Sequence, residues 1–388
     1  MTVTAPKGFR AAGITAGIKA SGNPDMALVV NDGPDHHAAA VFTSNRVAAA
    51  PVRWSKQVVT DGRVDAVVLN SGGANACTGP EGFQNTHTTA EKTADVLGIS
   101  AADVVVCSTG LIGEQLPMDR IVPGVDALAA ALSADGGHAA AEAIMTTDTV
   151  PKEAVFAGTD STGRPYTIGG IAKGAGMLAP GLATMLVVLT TDAEVQPEML
   201  DAALRDATRV TFDRADSDGC MSTNDTVVLL ASGAAGASPD PGSFTAGLTQ
   251  ACAELARKLI GDAEGASHDI AIRTYNAASE RDAEVVSRAV ARSNLFKTAI
   301  FGKDPNWGRV LSAVGTTDAV FDPDAVNVSI NGVQICQNGG IGQDRSLVDL
   351  EPRDVLVEID LAAGSAEATI LTNDLTHAYV HENSAYSS

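Results

Sequence analysis

Aromatic residues and positive charge are both scarce in this sequence. Only 4% of its 388 residues are aromatic, and 26 lysines and arginines stand against 47 aspartates and glutamates, which gives a net charge of −21. Because such a surface repels phosphate backbones and anionic lipids, the composition argues against nucleic-acid binding and membrane binding. The sequence also has no apolar run of the ~20 residues that span a bilayer. Its first residues lack the charged start and apolar stretch of a secretory signal.

Cysteine and histidine residues are present, but their spacing matches no metal-binding or redox motif. The five cysteines are odd in number and include no CxxC pair, and the seven histidines form no HExxH motif. The sequence therefore predicts reduced thiols in a cytoplasmic protein, with neither a disulfide framework nor a metal site. Cys77 and Cys107 are conceivable nucleophiles. Since no histidine lies nearby in the sequence to lower a thiol pKa, a core role is favoured for both.

Short runs of valine, isoleucine and leucine alternate with longer helical patterns along the chain. Several runs are apolar throughout, as strands buried on both faces of a sheet are. The hydrophobic content of 45% is ample for two or three lobes. The pattern predicts an α/β protein with more than one sheet. Strands are expected at 27–30, 66–69, 104–107, 166–171, 185–189, 226–230, 269–272, 310–314, 326–330, 355–359 and 368–371, and helices at 197–212, 243–262 and 280–293.

One loop has the composition of a reactive segment. Residues 173–183 are rich in glycine and proline and lead into Thr184, which an apolar run follows at once. Because glycine and proline can hold a peptide bond in unusual dihedrals, Thr184 can attack the carbonyl of Ala183 and become N-terminal. Its free α-amine, with a pKa near ~8, can then take the hydroxyl proton. Spacing alone favours the plainer interpretation, a loop that feeds a core strand.

Two further segments, 70–79 and 108–113, combine glycine with small polar residues directly after predicted strands. Strand ends are where α/β sheets usually place sites, and backbone N–H groups in such turns can hold an anion or a developing oxyanion. A tight turn that closes a buried strand is an equally good interpretation. Neither segment matches a nucleotide-binding loop. At the other end of the chain, composition alone predicts disorder over 381–388.

In their order along the chain, seven segments resemble the ornithine acetyltransferase family, the glutamate N-acetyltransferases of arginine biosynthesis. The resemblance covers essentially the whole chain and overrides the plain-loop interpretation of the residues before Thr184. It implies self-cleavage between Ala183 and Thr184 into an α chain, 1–183, and a β chain, 184–388, interleaved in one αβ unit. It also implies a multi-lobed α/β sandwich of mixed sheets and helices, related to self-cleaving aminopeptidases. The segments are 70–79, 108–113, 144–148, 173–186, 222–226, 304–309 and 382–386.

The resemblance further implies the residues of an active site. Thr184 is the nucleophile, and Thr109 and Gly110 form the oxyanion hole. Lys173 is then a partner for a substrate carboxylate and Glu264 a partner for the cationic side chain of ornithine. Either Thr146 or Thr147 matches the substrate-contacting threonine of the family, and the sequence does not decide between them. The resemblance also implies that the C-terminal tail is ordered. The positions expected to contact substrate are Thr146 or Thr147, Lys173, Thr184, Glu264, Asn383 and Ser388.

The reaction that the resemblance implies is transfer of an acetyl group from N²-acetyl-L-ornithine to L-glutamate through an ester on Thr184. This is ping-pong covalent catalysis, and it requires no metal or organic cofactor. The implied partners are the α and β chains of the same precursor, in an α2β2 or larger assembly. Acetyl-CoA as a second donor and a related role in secondary metabolism stay open. The main alternative is an amidohydrolase or aminopeptidase on the same self-cleaving scaffold, and an uncleaved binding protein is a third hypothesis.

Overall fold

The computed structural model describes residues 2–176 and 185–385 of the chain, and these contain three β-sheets with helices around them. The predicted α/β class with more than one sheet is confirmed. Within those ranges, no helix is both long and apolar enough to cross a membrane. The chain divides into two compact units, unit 1 (Met1–Asp213 and Cys220–Leu259) and unit 2 (Arg214–Gly219 and Ile260–Ser388).

Unit 1 contains two mixed sheets among its described residues. Its strands are β1 (Phe9–Ile14), β2 (Met26–Asn31), β3 (His37–Phe42), β4 (Ala66–Gly73), β5 (Val104–Leu111), β6 (Lys152–Thr159), β7 (Pro165–Lys173), β8 (Leu186–Thr191) and β9 (Thr226–Ala231). The first sheet has the order β1-β2-β4-β5, in which β4 and β5 are parallel. The second has the order β3-β9-β8-β7-β6, in which β8 and β9 are parallel. The other neighbouring strands in both sheets are antiparallel.

The two sheets of unit 1 pack face to face around a shared core, and helices lie on their outer faces and, through Ala140 and Ala141, in that core. The helices are α1 (Ala50–Val58), α2 (Gly79–Leu97), α3 (Met118–Ala131), α4 (Gly137–Ala143), α5 (Pro197–Arg209) and α6 (Pro241–Gly261). Because successive residues of a strand point to opposite sides, Val67 of β4 joins the core shared with the second sheet, whereas Val68 faces α2 and α3. On the second sheet, Phe244 of α6 packs against Tyr166 of β7 with ring centroids 6.3 Å apart. The prediction of strands buried on both faces is confirmed here.

Unit 2 contains one mixed sheet in its described part, with the order β13-β12-β11-β14-β10-β15. Strands β10 and β14 are parallel, and β10 and β15 are antiparallel. Apolar side chains of α7 such as Val286 and Val290 join Ile270 and Ile370 in the core on one face of this sheet. The elements are β10 (Asp269–Ala277), α7 (Glu280–Ala291), α8 (Asn294–Phe301), α9 (Trp307–Val314), β11 (Asn327–Ile330), β12 (Val333–Gln337), β13 (Gly340–Ile341), β14 (Asp354–Asp360), β15 (Ala366–Asn373) and α10 (His377–Ala385).

The strand predicted at 310–314 is wrong, because these residues belong to the helix α9. The Asn306 side chain caps the start of α9 by accepting a hydrogen bond from the backbone N–H of Arg309, 3.2 Å away. The apolar residues of α9 recur three and four positions apart, which is the helical period. A run of five residues was too short to separate that period from a buried strand.

The disorder that composition alone predicts at the C-terminal end is wrong up to Ala385, because α10 reaches that residue, as the order implied by the family resemblance requires. The start of α10 is fixed locally: the Thr376 hydroxyl donates to the carbonyl of Gly265 at 2.6 Å and accepts from the backbone N–H of Tyr379 at 2.9 Å. Gly265 has φ +62, and a Cβ there would lie 2.3 Å from the nitrogen of Tyr379. Close backbone contact therefore orders a tail whose composition resembles that of a mobile end.

Candidate functional site

Two neighbouring strands of unit 1 flank the segment that carries the predicted nucleophile. Strands β7 and β8 are antiparallel, with Lys173 directly opposite Leu186. Ala183 and Thr184 fall between them and lie outside the described residues, as Ser388 does. Next to β8, the carbonyl of Met185 accepts a hydrogen bond from the backbone N–H of Thr226 at 3.2 Å. The residue that follows the predicted nucleophile is thus held by the neighbouring strand β9.

The predicted oxyanion residues lie at the end of β5, inside the first sheet. Strands β4 and β5 continue to Gly73 and Leu111, so the expectation that turns begin at 70 and 108 is wrong. Gly110 is paired with Gly72, has φ +129, and a Cβ added to it would lie 2.5 Å from the backbone of Gly72 and Gly73. Position 110 therefore accepts only glycine, and the strand end keeps its backbone close to that of β4.

Lys173 and Thr109 meet at these strand ends. The Nζ of Lys173, at the end of β7, donates to the Oγ1 of Thr109 on β5 over 3.3 Å. Both side chains are almost fully buried, with 2% and 1% of their surfaces exposed. A buried lysine is costly unless its charge is compensated. Two residues named from the resemblance are thus in direct contact, and their contact joins the two sheets of unit 1.

Asp148 supplies the compensating charge, and sequence reasoning gave it no role. Its Oδ1 lies 2.5 Å from the Nζ of Lys152, and its Oδ2 lies 3.9 Å from the Nζ of Lys173. Oδ1 also accepts from the backbone N–H of Gly174 at 2.7 Å. Burial alone would raise the pKa of this carboxyl, but the two lysines reverse that effect and hold the pKa well below its ordinary value. The sequence signal that could have indicated this acidic partner is the presence of Lys152 and Lys173 in apolar strands.

The threonines predicted to contact substrate lie beside Asp148. The backbone N–H of Thr146 donates to Oδ2 of Asp148 at 2.9 Å, and the Thr146 hydroxyl lies 3.5 Å from the same oxygen. Thr146 and Thr147 are both half-buried, so exposure does not distinguish them. The hydrogen bonds tie Thr146 to the group that includes Lys173. Which of the two contacts a substrate stays a prediction.

A third lysine, Lys19, lies close to the same group and was also missed. Its Nζ donates to the carbonyl of Met145 at 2.6 Å and to that of Pro24 at 2.7 Å. Burial lowers the pKa of Lys19; attraction to Asp25 opposes this, and repulsion from Lys173 adds to it. Three lysines (Lys19, Lys152 and Lys173) and two aspartates (Asp25 and Asp148) thus lie close together, which leaves a small formal excess of positive charge in a protein whose overall charge is strongly negative. Such a region attracts carboxylates.

Asp225 is the second acidic side chain that sequence reasoning gave no role. It immediately precedes β9, and its side chain has no exposed surface. Oδ1 accepts a hydrogen bond from the backbone N–H of Met185 at 3.0 Å. Burial raises the pKa of Asp225 well above its ordinary value, and nearby donors and Lys173 oppose this only in part. Burial therefore favours the neutral, protonated form of this carboxyl.

Two predicted residues of unit 2 also come together, although they are 119 positions apart in the sequence. The side-chain amide of Asn383, on α10, donates to Oε2 of Glu264 at 3.0 Å and to the carbonyl of Tyr379 at 3.0 Å. Glu264 is half-buried. The amide therefore orients a carboxylate that keeps contact with solvent.

Comparison with known proteins assigns the family. A model of the ArgJ family matches residues 10–388 of the chain. The chain belongs to the ArgJ family. It is 66% identical over 388 residues to the arginine biosynthesis bifunctional protein ArgJ of Streptomyces coelicolor, with 100% of both chains covered. It is 64% identical over 387 residues to the protein of the same name from Thermobifida fusca, again with 100% of both chains covered.

Solved structures include an ornithine acetyltransferase from Mycobacterium tuberculosis in complex with ornithine. That chain is 53% identical to this one, with a TM-score of 0.43, and the match covers 48% of this chain and 96% of that chain. Membership of the ArgJ family confirms the predicted enzyme class, an acetyl-transferring enzyme of arginine biosynthesis. It favours this class over the amidohydrolase alternative and over an uncleaved binding protein.

A serine, a histidine and an aspartate meet in unit 2 of this ArgJ chain, but not as a catalytic triad. The Nδ1 of His268 faces both Ser267 Oγ, at 3.1 Å, and Asp374 Oδ2, at 2.8 Å. Its Nε2 faces the carbonyl of Leu350 at 3.2 Å. In a triad the serine and the aspartate lie on opposite ring nitrogens. The cluster is therefore a hydrogen-bond network in which His268 and Asp374 are buried and Ser267 is exposed, and it supplies no rival nucleophile.

The structure places the two cysteines that were considered as nucleophiles, Cys77 and Cys107, in different environments. Cys107 is buried in β5, where burial raises the pKa of its thiol to about 12, against a weaker opposing hydrogen bond with Thr226. At neutral pH this thiol stays protonated and unreactive. Cys77 is exposed and has φ +59. The core role predicted for Cys107 is confirmed, whereas the core role predicted for Cys77 is wrong.

Proposed function

We propose that this ArgJ chain cleaves itself between Ala183 and Thr184 and then transfers acetyl from N²-acetyl-L-ornithine to L-glutamate through an ester on Thr184. The observation that carries the proposal is the contact between Lys173 and Thr109, at the ends of the strands that lead into the nucleophile segment and the oxyanion residues. Because β7 and β8 are neighbours in one sheet, the α chain, 1–183, and the β chain, 184–388, would stay interleaved after cleavage.

The hydrogen bond from Lys173 leaves the hydroxyl hydrogen of Thr109 free to be donated to another acceptor. A lysine ammonium can only donate hydrogen bonds, so the Oγ1 of Thr109 accepts from Lys173 and directs its own hydrogen elsewhere. In the proposed mechanism this hydrogen and a donor at Gly110 stabilise the oxyanion that forms when Thr184 attacks the acetyl carbonyl. The free α-amine of Thr184 takes the hydroxyl proton, ornithine leaves, and glutamate attacks the resulting ester.

Charge supports the same assignment of substrates. Lys173, with Lys19 nearby, makes a positive region suited to the α-carboxylate that N²-acetylornithine and glutamate share. Glu264, held by Asn383, is a negative group suited to the cationic side chain of ornithine. We therefore propose as substrate-contacting residues Thr146 or Thr147, Lys173, Thr184, Glu264, Asn383 and Ser388.

Removing the Thr109 hydroxyl should slow catalysis without unfolding the protein. Since one oxyanion donor is worth ~10²–10³ in kcat, we expect Thr109→Val to lower kcat by a factor in that range. KM for N²-acetylornithine should change little. The control is Thr191→Val, which removes another buried threonine hydroxyl, bonded to the carbonyl of Thr167 at the far end of β8. Steady-state kinetics in which both variants lose activity equally would contradict the role of Thr109.

Neutralising Glu264 should affect one substrate more than the other. Loss of a charged hydrogen bond costs ~1.5–3 kcal/mol, so we expect Glu264→Gln to raise KM for N²-acetylornithine by ~10-fold or more. KM for glutamate should stay nearly constant, because glutamate carries no cationic side chain. Glu254→Gln, in which an exposed glutamate paired with Lys258 is changed, serves as the control. Equal increases in both KM values would argue against the proposed role of Glu264.

The test of the function as a whole is turnover of N²-acetylornithine with and without glutamate. An acetyltransferase releases ornithine continuously only when glutamate is present, and N-acetylglutamate forms in equal amount. Continuous release of ornithine and acetate without glutamate would instead favour the amidohydrolase alternative. The relatives are named bifunctional proteins, which supports including acetyl-CoA as a second donor in the assay. We also propose that the enzyme is cytoplasmic and assembles its αβ units as α2β2 or larger.

A further inference from the structure

One buried side chain, that of Asn224, joins the strand of the proposed oxyanion residues to the residue that follows the neighbouring strand β4. Its amide nitrogen donates to the carbonyl of Ser108 at 2.8 Å and to that of Ala74 at 2.6 Å. Its oxygen accepts a hydrogen bond from the hydroxyl of Thr223 at 2.6 Å. Only 3% of the surface of Asn224 is exposed. Because its nitrogen and its oxygen are both engaged, the amide is fixed in orientation.

The contacts of Asn224 enclose the proposed oxyanion residues, 109–110. Ser108 directly precedes this pair in the sequence, and Leu111 directly follows it. The carbonyl of Leu111 accepts a hydrogen bond from the backbone N–H of Ala74 at 2.9 Å. Since Asn224 also holds the carbonyl of Ala74, both ends of the pair are attached to one side chain, directly at Ser108 and through Ala74 at Leu111.

The glycine in this pair makes the attachment important. Gly110 has φ +129, and because glycine adopts positive and negative φ about equally well, its own backbone preference does not fix the strand end. An oxyanion hole works only when its donors lie ~2.7–3.1 Å from the developing charge. A misplacement of ~1 Å can cost ~10²-fold in rate. The position of the donors therefore depends on the residues that anchor the two ends of the pair.

The outer edge of β5 shows where this anchoring ends. β5 is the last strand of the first sheet, so no strand pairs with its outer edge. Ser55 of α1 occupies this edge at Val106, where its hydroxyl donates to the carbonyl at 2.8 Å and accepts from the N–H at 3.0 Å. Asn224 occupies the edge two residues later, at Ser108. It thus fixes the edge of β5 directly before the proposed oxyanion residues.

The backbone next to Asn224 also holds the second sheet of unit 1. Thr226 begins β9, and its N–H donates to the carbonyl of Met185, which directly precedes β8. The segment 224–226 therefore links the end of β5 in the first sheet to the start of β8 in the second. A side chain at this point is placed to control where the end of β5 lies.

We propose that Asn224 is a positioning residue for acetyl transfer, which sets the location of Thr109 and Gly110 by holding Ser108 and Ala74. It acts through these residues and takes no part in bond making or breaking. The inference rests on the proposed function, in which Thr109 and Gly110 stabilise the oxyanion.

The variant that tests this role is Asn224→Asp, which keeps the shape of the side chain and an acceptor for Thr223 but has no amide N–H groups. We expect kcat and kcat/KM for N²-acetylornithine to fall together, by ~10²-fold, because displaced donors weaken binding of the transition state only. KM should stay nearly constant. Each rate is divided by the fraction of chain that has been cleaved, which denaturing mass spectrometry measures.

The matched control is Asn31→Asp, at another buried amide of unit 1. The amide nitrogen of Asn31 donates to the carbonyls of Asp35 at 3.0 Å and Ala231 at 3.2 Å, and its oxygen accepts from the N–H of Gly33 at 3.0 Å. These contacts lie at the end of β9 opposite to Asn224. We expect both variants to lower the free energy of unfolding in urea by similar amounts, and Asn31→Asp to leave kcat unchanged.

A milder variant, Thr223→Val, introduces no charge. It removes the half-buried hydroxyl that orients the Asn224 amide. Loss of one such hydrogen bond should lower kcat by about 5-fold and leave KM unchanged. This variant decides the question where Asn224→Asp does not fold or is not cleaved. An unchanged kcat in Thr223→Val would then overturn the proposal.

The remaining outcomes separate this proposal from the one on which it rests. If the unmodified protein transfers no acetyl group to glutamate, the proposed function fails and the role of Asn224 falls with it. If transfer occurs and Thr109→Val is slowed while Asn224→Asp keeps its kcat, only the role of Asn224 is overturned. A rise in KM at constant kcat, or an equal loss of kcat in Asn224→Asp and Asn31→Asp, would overturn it as well.

Discussion

Replacing Thr184 with alanine is expected to leave the chain as one species of its full 39.5 kDa and to abolish acetyl transfer. The alanine has no hydroxyl to attack the carbonyl of Ala183, so the peptide bond survives and no N-terminal nucleophile forms. The α-amine that acts as base is then also missing. Denaturing mass spectrometry of the purified protein measures the first effect, and release of ornithine from N²-acetylornithine measures the second.

The control for this variant is Thr184→Ser, which keeps a hydroxyl at the same position. We expect two fragments from this chain, with cleavage and transfer slowed rather than lost, because a serine hydroxyl is a competent nucleophile. Two fragments from the alanine variant would contradict the account, since they would show that another residue or a contaminating protease cuts the chain.

Neutralising Asp148 is expected to destabilise unit 1 strongly. Its carboxylate lies between the buried ammonium groups of Lys152 and Lys173, and breaking a buried ion pair by removing one partner costs ~3–5 kcal/mol. We therefore expect Asp148→Asn to lower the free energy of unfolding by about that amount at pH 7, measured by urea denaturation. The double variant Asp148→Asn with Lys152→Met should recover part of the loss, since it removes one of the two cations.

The pH dependence of stability provides an independent check on Asp148. Its pKa is lower in the folded protein than the ordinary value of 3.8, so its stabilising effect is complete above that value and is lost as pH falls through the folded pKa. The unmodified protein should lose this increment in acid, below about pH 4, and Asp148→Asn should not. Parallel stability curves for the two proteins across this range would contradict the assigned role of the carboxylate.

Apolar runs in the sequence were sufficient to predict the central strands. Strands β2, β4, β5, β8 and β9 carry consecutive apolar residues because each is buried on both faces, and this pattern is visible without a structure. The helix α9 was mistaken for a strand because its apolar run is short and its period becomes clear only when Trp307 and the cap at Asn306 are included. Composition alone predicts a disordered tail wrongly, because backbone contacts with Gly265 leave no trace in composition, whereas the family resemblance implies an ordered one.

The acidic partners of the candidate site could not be predicted in this way. Asp148 accepts a hydrogen bond from the backbone of Gly174, and Asp225 accepts one from the backbone of Met185, 40 positions earlier. Neither pair can be predicted from the spacing of apolar residues in a helix or a strand. The sequence does indicate that Lys173 needs an acidic partner. Lys173 ends an apolar strand, and a buried positive charge requires a negative charge nearby. The position of that counter-charge depends on how β5 and β7 meet, which is a property of the folded chain.

The most direct test of the central claim is the intact mass of the unmodified protein after incubation with N²-acetylornithine alone, under denaturing conditions. We expect two fragments, 1–183 and 184–388, with the mass of one acetyl group added to the second. Addition of glutamate should remove that acetyl group and yield N-acetylglutamate. A single full-length species, or an acetyl group on the first fragment, would contradict the claim that Thr184 is an N-terminal nucleophile that carries the acetyl group.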